Sequence, residues 1–173
     1  MPRATMAPLI ARVRSLVGDL NPPWTDDEIQ AVLDRFREER RYVPLRPLPT
    51  LGPGGAVSYL EYEAEEGDLE EGELLNANYE PLSPSSADWL AGRFAFSAHT
   101  PPPVLLKAWH YDVYGAAAEI CRMQAARYKD GLQVEAVGAE LDQEKAFEAL
   151  MALARALEAR RPVRAGALLR GEG

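Results

Sequence analysis

The chain predicts a mainly α fold: a small helical bundle of about four helices with a β-hairpin-rich central insertion. Two observations carry that expectation. Toward both ends apolar residues recur at three- and four-residue intervals, the period of a helix that buries one face. Between them, from Tyr42 to Ala108, prolines, glycines and short alternating runs replace that period and favour strands and turns. The division that follows is residues 1–41 as N-terminal helices of the bundle, 42–108 as a Pro-rich arm and β-rich insertion, 109–161 as C-terminal helices and 162–173 as a docking tail. A length of 173 residues suits one ordinary domain with a real core.

Leu9, Ile10, Val13, Leu16 and Val17 make the first amphipathic helix, with Pro8 in its first turn and Gly18 beyond its end. The next stretch, "WTDDEIQAVLDRFREERR", carries a stronger start signal. Thr25 and Glu28 form a Thr-x-x-Glu capping box, Trp24 and Ile29 are spaced as a hydrophobic staple, and Asp26 and Asp27 suit the positive helix end. Ile29, Val32, Leu33 and Phe36 line the face to be buried, and the charges after Phe36 keep the other face in water.

From Tyr42, "YVPLRPLPTLGPGG" excludes a helix and suggests an extended arm. "AVSYLEYEAE" and "ELLNANYEPL" flank a glycine-containing turn as a β-hairpin would, "RFAFSA" supplies another strand, and "SPSSADWLAG" holds one helical turn. "HTPPPVLLKAW" then leads into the long helix of "HYDVYGAAAEICRMQAARYKDG". Val113, Ala116, Ala117, Ile120 and Met123 share its apolar face, Asp112 can cap it and Gly131 can end it. "KDGLQVEAVGAELD" reads as a short strand or hairpin, and Phe147, Leu150, Ala154 and Leu157 define a last helix that ends near Pro162.

The single cysteine excludes an internal disulfide and a cysteine-rich zinc site. No secretory apolar block opens the chain and no run approaches a membrane span, so the expectation is a soluble, intracellular protein without a membrane partner. Charge is uneven: Ala56–Glu80 holds nine acidic residues and no basic one, whereas Arg155–Gly173 holds five arginines against two glutamates. A net charge of −8 argues against sequence-specific nucleic acid binding, which needs many phosphate-neutralising cations. The basic tail suits an acidic protein surface.

The chain has no Gly-rich phosphate loop, His-Glu-x-x-His helix, CxxC pair or Gly-x-Ser-x-Gly elbow, and the expectation is no enzyme, no cofactor and no metal site. Cys121, beside the apolar helix face, reads as a buried inert thiol rather than a nucleophile. His110 reads as a packed or capping residue and His99 as an ordinary loop residue; neither has a partner pattern for acid–base work. The acidic run lacks the ligand spacing of an EF-hand and reads as a solvated hairpin face. Leu168 and Leu169 stand between arginines in a terminus that the bundle does not need, which points to docking on another protein.

Four features taken together, "ARVRSLVGDL" leading to "WTDDEIQAVLDRF", the β-rich centre, "YDVYGAAAEICRMQAARYK" and "DQEKAFEALMALARALEARRP", resemble the head-to-tail connector (adaptor) proteins of long-tailed double-stranded-DNA bacteriophages. The resemblance implies a structural neck protein of the virion, assembled in the host cytoplasm as a homo-oligomeric ring that joins the portal of the DNA-filled head to the tail. It implies as partners the phage portal protein and the next neck or tail-completion protein. By position it places portal contact on Arg160, Arg161, Arg164, Leu168 and Leu169. The central segment is longer and more acidic than in the smallest connectors. Two other readings compete: a small non-catalytic bacterial adaptor or regulatory protein that binds an acidic partner through its basic tail, and an enzyme of unrecognised type using His99, His110 or the acidic run.

Overall fold

A computed structural model of the chain describes residues 1–52, 55–131 and 140–161. The expected mainly α bundle is not what forms: the structure is mixed α/β, with four α-helices and two antiparallel four-stranded sheets among the described residues. The chain divides into two compact units, Met1–Val113 and Tyr114–Gly173.

The first unit opens with a 3-10 turn, Ala4–Met6, then α1 (Ala7–Val17) and α2 (Asp26–Leu33). Both helices follow the signals in the sequence. Pro8 lies in the first turn of α1, and Gly18, at a φ of 69°, ends it while its amide donates to the Arg14 carbonyl. The capping box at Thr25 and Glu28 is complete in both directions, and Trp24, Ile29, Val32 and Leu33 are buried.

The helix stops short of the expected "REERR" extension. After a 3-10 turn, Asp34–Phe36, the chain enters β1 (Arg37–Pro44). Intrinsic helix propensity loses here to pairing: β1 lies antiparallel along β8 (Leu105–Tyr111), a strand that alternates half-buried or exposed with buried positions. Glu38 and Arg40 are half-buried while Glu39 and Arg41 are exposed, so the charged run obeys a two-residue period. Leu105 to Tyr111, expected to lead straight into a helix, therefore supplies an inner strand instead.

The remaining strands are β2 (Arg46–Leu51), β3 (Val57–Glu63), β4 (Leu69–Leu75), β5 (Pro81–Leu82), β6 (Ser86–Asp88) and β7 (Arg93–Ala95). One sheet has the order β1-β8-β4-β5 and the other β2-β3-β7-β6. The proline-rich stretch expected as a free arm is thus an edge strand, β2, whose Pro47 and Pro49 suit an edge. The turn expected in "SPSSADWLAG" as helical instead contains β6.

The expected hairpin of "AVSYLEYEAE" with "ELLNANYEPL" does not form, because β3 and β4 belong to different sheets. Gly67 allows the crossing: a Cβ there would lie 2.3 Å from the Leu90 carbonyl oxygen, and the next residue, Asp68, turns the chain at a φ of 53°. The hairpin that does form is β2–β3. Buried Leu45, Tyr62, Leu69, Leu74, Phe94, Phe96, Val104 and Leu106, drawn from both sheets and their connections, make the core of this β region. Each large apolar side chain removed from water there contributes about 1.5–3 kcal/mol.

The second unit holds α3 (Val113–Gly131) from its second residue onward, and α4 (Glu140–Glu158). Ala116, Ala117, Ile120 and Cys121 are buried as expected, but Met123 is 36% exposed while Gln124 is fully buried. The buried stripe steps four residues after Ile120 rather than three, which turns Met123 outward. Ala154 and Leu157 are buried on α4, and Arg122 of α3 pairs with Glu158 of α4. Of residues 129–142, where a short strand or hairpin was expected, 129–131 end α3 and 140–142 begin α4, and 132–139 lie outside the described residues.

Candidate functional site

Five of the nine acidic residues of the middle segment are tied to cations of the first unit, which corrects in part its reading as a solvated face, while Glu61, Glu65, Glu71, Glu73 and Glu80 are exposed. Glu63 is met by Arg46 and by Arg93, Glu66 by Arg40 at 2.6 Å, Asp68 by Arg12 at 2.7 Å and Glu73 by Lys107 at 3.0 Å. These cations come from α1, β1, β2, β7 and β8, so the carboxylates act as ties between elements. Burial pushes the Asp68 carboxyl above its usual range, with Asp112 adding to the push and Arg12 opposing it.

The most buried of these carboxylates is Glu70 on β4. Arg3 reaches it from the N-terminal segment through Nε at 2.9 Å, Thr5 donates its hydroxyl at 2.6 Å and Tyr111 donates at 2.7 Å. The same guanidinium grips both oxygens of Asp34, at 2.7 and 3.1 Å, and donates to the Tyr111 hydroxyl at 2.9 Å. Burial pushes the Glu70 carboxyl upward, but the donors from Arg3, Thr5 and Tyr111 outweigh it and hold the group below the usual carboxylate range. Hydrogen bonds from Arg3 likewise hold Asp34 low, and burial next to Glu70 drives the Tyr111 phenol far up. Every member has a partner, so the cluster ties the N-terminal segment to the 3-10 turn after α2, to β4 and to β8.

The residues weighed for catalysis are dispersed. His99 accepts the Tyr59 amide proton on Nδ1 at 3.2 Å and rests against the Tyr59 ring. His110 is not a helix cap: it is buried in β8, with Nε2 4.0 Å from Glu66. Cys121 is fully buried, and burial pushes its thiol up to about 11, which disfavours the nucleophilic thiolate. Among the described residues no group of three or more His, Cys, Asp or Glu side chains could hold a metal, and no helix is long and apolar enough to cross a membrane.

A different surface stands out on the outward face of β1, β8 and β4. A bulge between Arg41 and Val43 ejects Tyr42, at a φ of 59°, and the turn after β4 holds Tyr79 at a φ of 63°. Left-handed backbone is uncommon for a bulky residue. The two rings nevertheless meet edge to face at 5.1 Å and remain 44% and 61% exposed. Farther along the face Trp109 lies exposed under the Arg37 guanidinium, 4.6 Å from its ring. Arg41 pairs with Glu39 at 2.8 Å, beside Lys107 and its Glu73 partner. Aromatic and arginine side chains of this kind are what protein interfaces use as anchors.

Periodicity alone missed this face, since Tyr42 and Tyr79 stand in "RYVP" and "NANYEP", where only left-handed turns give them a shared direction. Of the residues expected to contact a partner, Arg160 and Arg161 are exposed just beyond α4. Arg164, Leu168 and Leu169 lie outside the described residues. Comparison of the chain with protein-family models, with curated proteins and with solved structures finds no match to any of them.

Proposed function

We propose that the chain is a non-catalytic assembly protein, a head-to-tail connector that forms a ring between the portal of a DNA-filled phage head and the tail. The observation that carries this reading is the exposed Tyr42–Tyr79 pair with Trp109 beside it: strained backbone and costly aromatic exposure are retained on a surface that the core does not require. Such a surface fits a protein whose work is contact. The four sequence segments behind the resemblance also fold as α1, α2, a β-rich centre, and α3 with α4, in that order.

The net charge of −8 suits a component beside a passing duplex, because carboxylates repel phosphates and avoid the salt-sensitive grip of a basic lining. In this reading Arg160, Arg161, Arg164, Leu168 and Leu169 meet the portal, and the next neck or tail-completion protein binds below. The test is light scattering with negative-stain microscopy on the purified chain at rising concentration, alone and with the portal protein of the same phage. A ring, free or templated by the portal, is expected. A monomer that ignores the portal overturns the connector and leaves the bacterial adaptor reading in its place.

A further inference from the structure

We propose that a cleft between β4 and β6 takes the basic C-terminal segment, residues 163–173, of a second copy of the chain. The cleft has a volume of about 450 Å³. Leu69, Trp89 and Leu90 give it an apolar wall, Glu71 and Asp88 give it charge, and no basic residue is among those that line it. Asp88 accepts the Ala91 amide at 2.9 Å, but neither carboxylate meets a cation among the described residues, unlike Glu63, Glu66, Asp68, Glu70 and Glu73.

The strand edges at the cleft are open as well. β5 covers β4 only at Leu74 and Leu75, and β6 has β7 as its sole ladder partner among the described residues. At one end the Leu69 amide donates to the Trp89 carbonyl at 3.1 Å. Beyond that bond Glu71 and Asp88 flank the cleft on two strands with no ladder between them. An extended peptide laid along such an edge gains main-chain hydrogen bonds, and the side chains around it decide which peptide enters.

The chain itself carries a segment of matching chemistry. Arg155–Gly173 holds five arginines against two glutamates, Arg164 and Arg170 bracket Leu168 and Leu169, and no proline after Pro162 removes an amide donor. The arginines complement Glu71 and Asp88, and the leucines complement the wall around Trp89. Two copies of a chain of net charge −8 repel, and this pairing sets the basic segment of one against an acidic site of the other. Each copy brings one cleft and one segment, so the contact is heterologous and passes from copy to copy until it closes. It stands without the connector reading; where that reading holds, cleft and portal draw on the same residues, and a segment engages one or the other.

The experiment follows self-association of the full chain by light scattering at rising concentration, for wild type, Glu71→Arg, Leu168→Asp and Glu148→Arg, with circular dichroism to verify folding. Glu148, exposed on α4, serves as a control of equal charge change. Glu71→Arg and Leu168→Asp are each expected to raise the concentration of half-association about tenfold or more, with Glu148→Arg close to wild type. Mixing the first two is expected to restore association, because the intact segment of Glu71→Arg meets the intact cleft of Leu168→Asp. A synthetic peptide of residues 161–173, in excess, is expected to disperse the wild-type assembly. A wild type that stays monomeric at every concentration overturns the exchange, as does association that neither the peptide nor the two variants weaken. A loss as large in Glu148→Arg as in Glu71→Arg assigns the effect to net charge and overturns the cleft. No portal enters these measurements, so their failure leaves the connector reading standing.

Discussion

The Tyr111 hydroxyl of β8 donates to Glu70 of β4 across 2.7 Å, and Arg3, 67 residues before Glu70 in sequence, bonds both. Two adjacent strands and the N-terminal segment thus share one buried carboxylate. Arg3→Ala removes the cation and leaves that charge buried with only hydroxyl donors. Because Arg3 itself is 39% exposed on its side chain, the cost is expected near 2 kcal/mol, below that of a fully buried pair. Tyr111→Phe, which keeps the cation, is expected to cost about 1–2 kcal/mol. Urea unfolding of both variants checks the order; a costlier Tyr111→Phe would show that the cation is not the dominant partner.

The same cluster sets an acid limit. Glu70 and Asp34 are held below their ordinary values of 4.5 and 3.8, so their contribution is present above that range and is lost as pH falls through it and below. Wild type is therefore expected to lose stability below about pH 4.5 more steeply than Glu70→Gln, and the difference between them should shrink toward pH 3. A constant difference from pH 7 to pH 3, measured by thermal melts, would remove Glu70 from the acid response.

Gly72 sits where β4 bulges against β8, and a Cβ there would lie 2.3 Å from the Lys107 carbonyl oxygen and 2.9 Å from the Ala108 Cβ. The obstacle is mainly backbone, which cannot swing aside. Gly72→Ala is expected to cost about 2–3 kcal/mol, visible as a lowered melting temperature. An unchanged melt would mean that the two strands separate easily at this point.

Tyr79→Gly separates fold from contact. Glycine relieves the left-handed backbone, worth about 1 kcal/mol, while the lost ring contact with Tyr42 costs about 0.5–1.5 kcal/mol. Stability should change by less than about 1 kcal/mol, yet assembly should weaken tenfold or more. Parallel melting and light-scattering curves decide this, and an equal loss in both would make Tyr79 a structural residue.

Cys121 should resist thiol reagents in the folded chain. With no exposed surface and a thiol pushed up to about 11, it is expected to react with a colorimetric disulfide at pH 8 at least a hundred times more slowly than after unfolding in guanidinium. Comparable rates would place the thiol at the surface.

The helices were legible because their signals are local. The Thr25–Glu28 box, Pro8, Gly18 and the spacing around Ile120 each lie within a few residues of what they specify. The sheets were not, because their determinants are partners far away in sequence. "REERR" is a good helix in isolation and becomes β1 only when β8, some 70 positions later, is beside it. Likewise, the acidic run looked solvated because the arginines that neutralise it, from Arg3 to Arg93, are scattered over most of the first unit. Tyr42 and Tyr79 form a pair only through a bulge and a turn, which no periodicity encodes.

Pro47 and Pro49 in β2 have a meaning beyond their own strand. An exposed sheet edge invites any extended peptide, because backbone donors and acceptors carry no sequence information. The two prolines withhold amide donors at that rim, while on the other sheet β1 is studded with charge and broken by its bulge. Indiscriminate pairing at these two edges is thereby discouraged, so any chain that meets them there is selected by side chains. Selectivity among neighbours begins with what the backbone refuses.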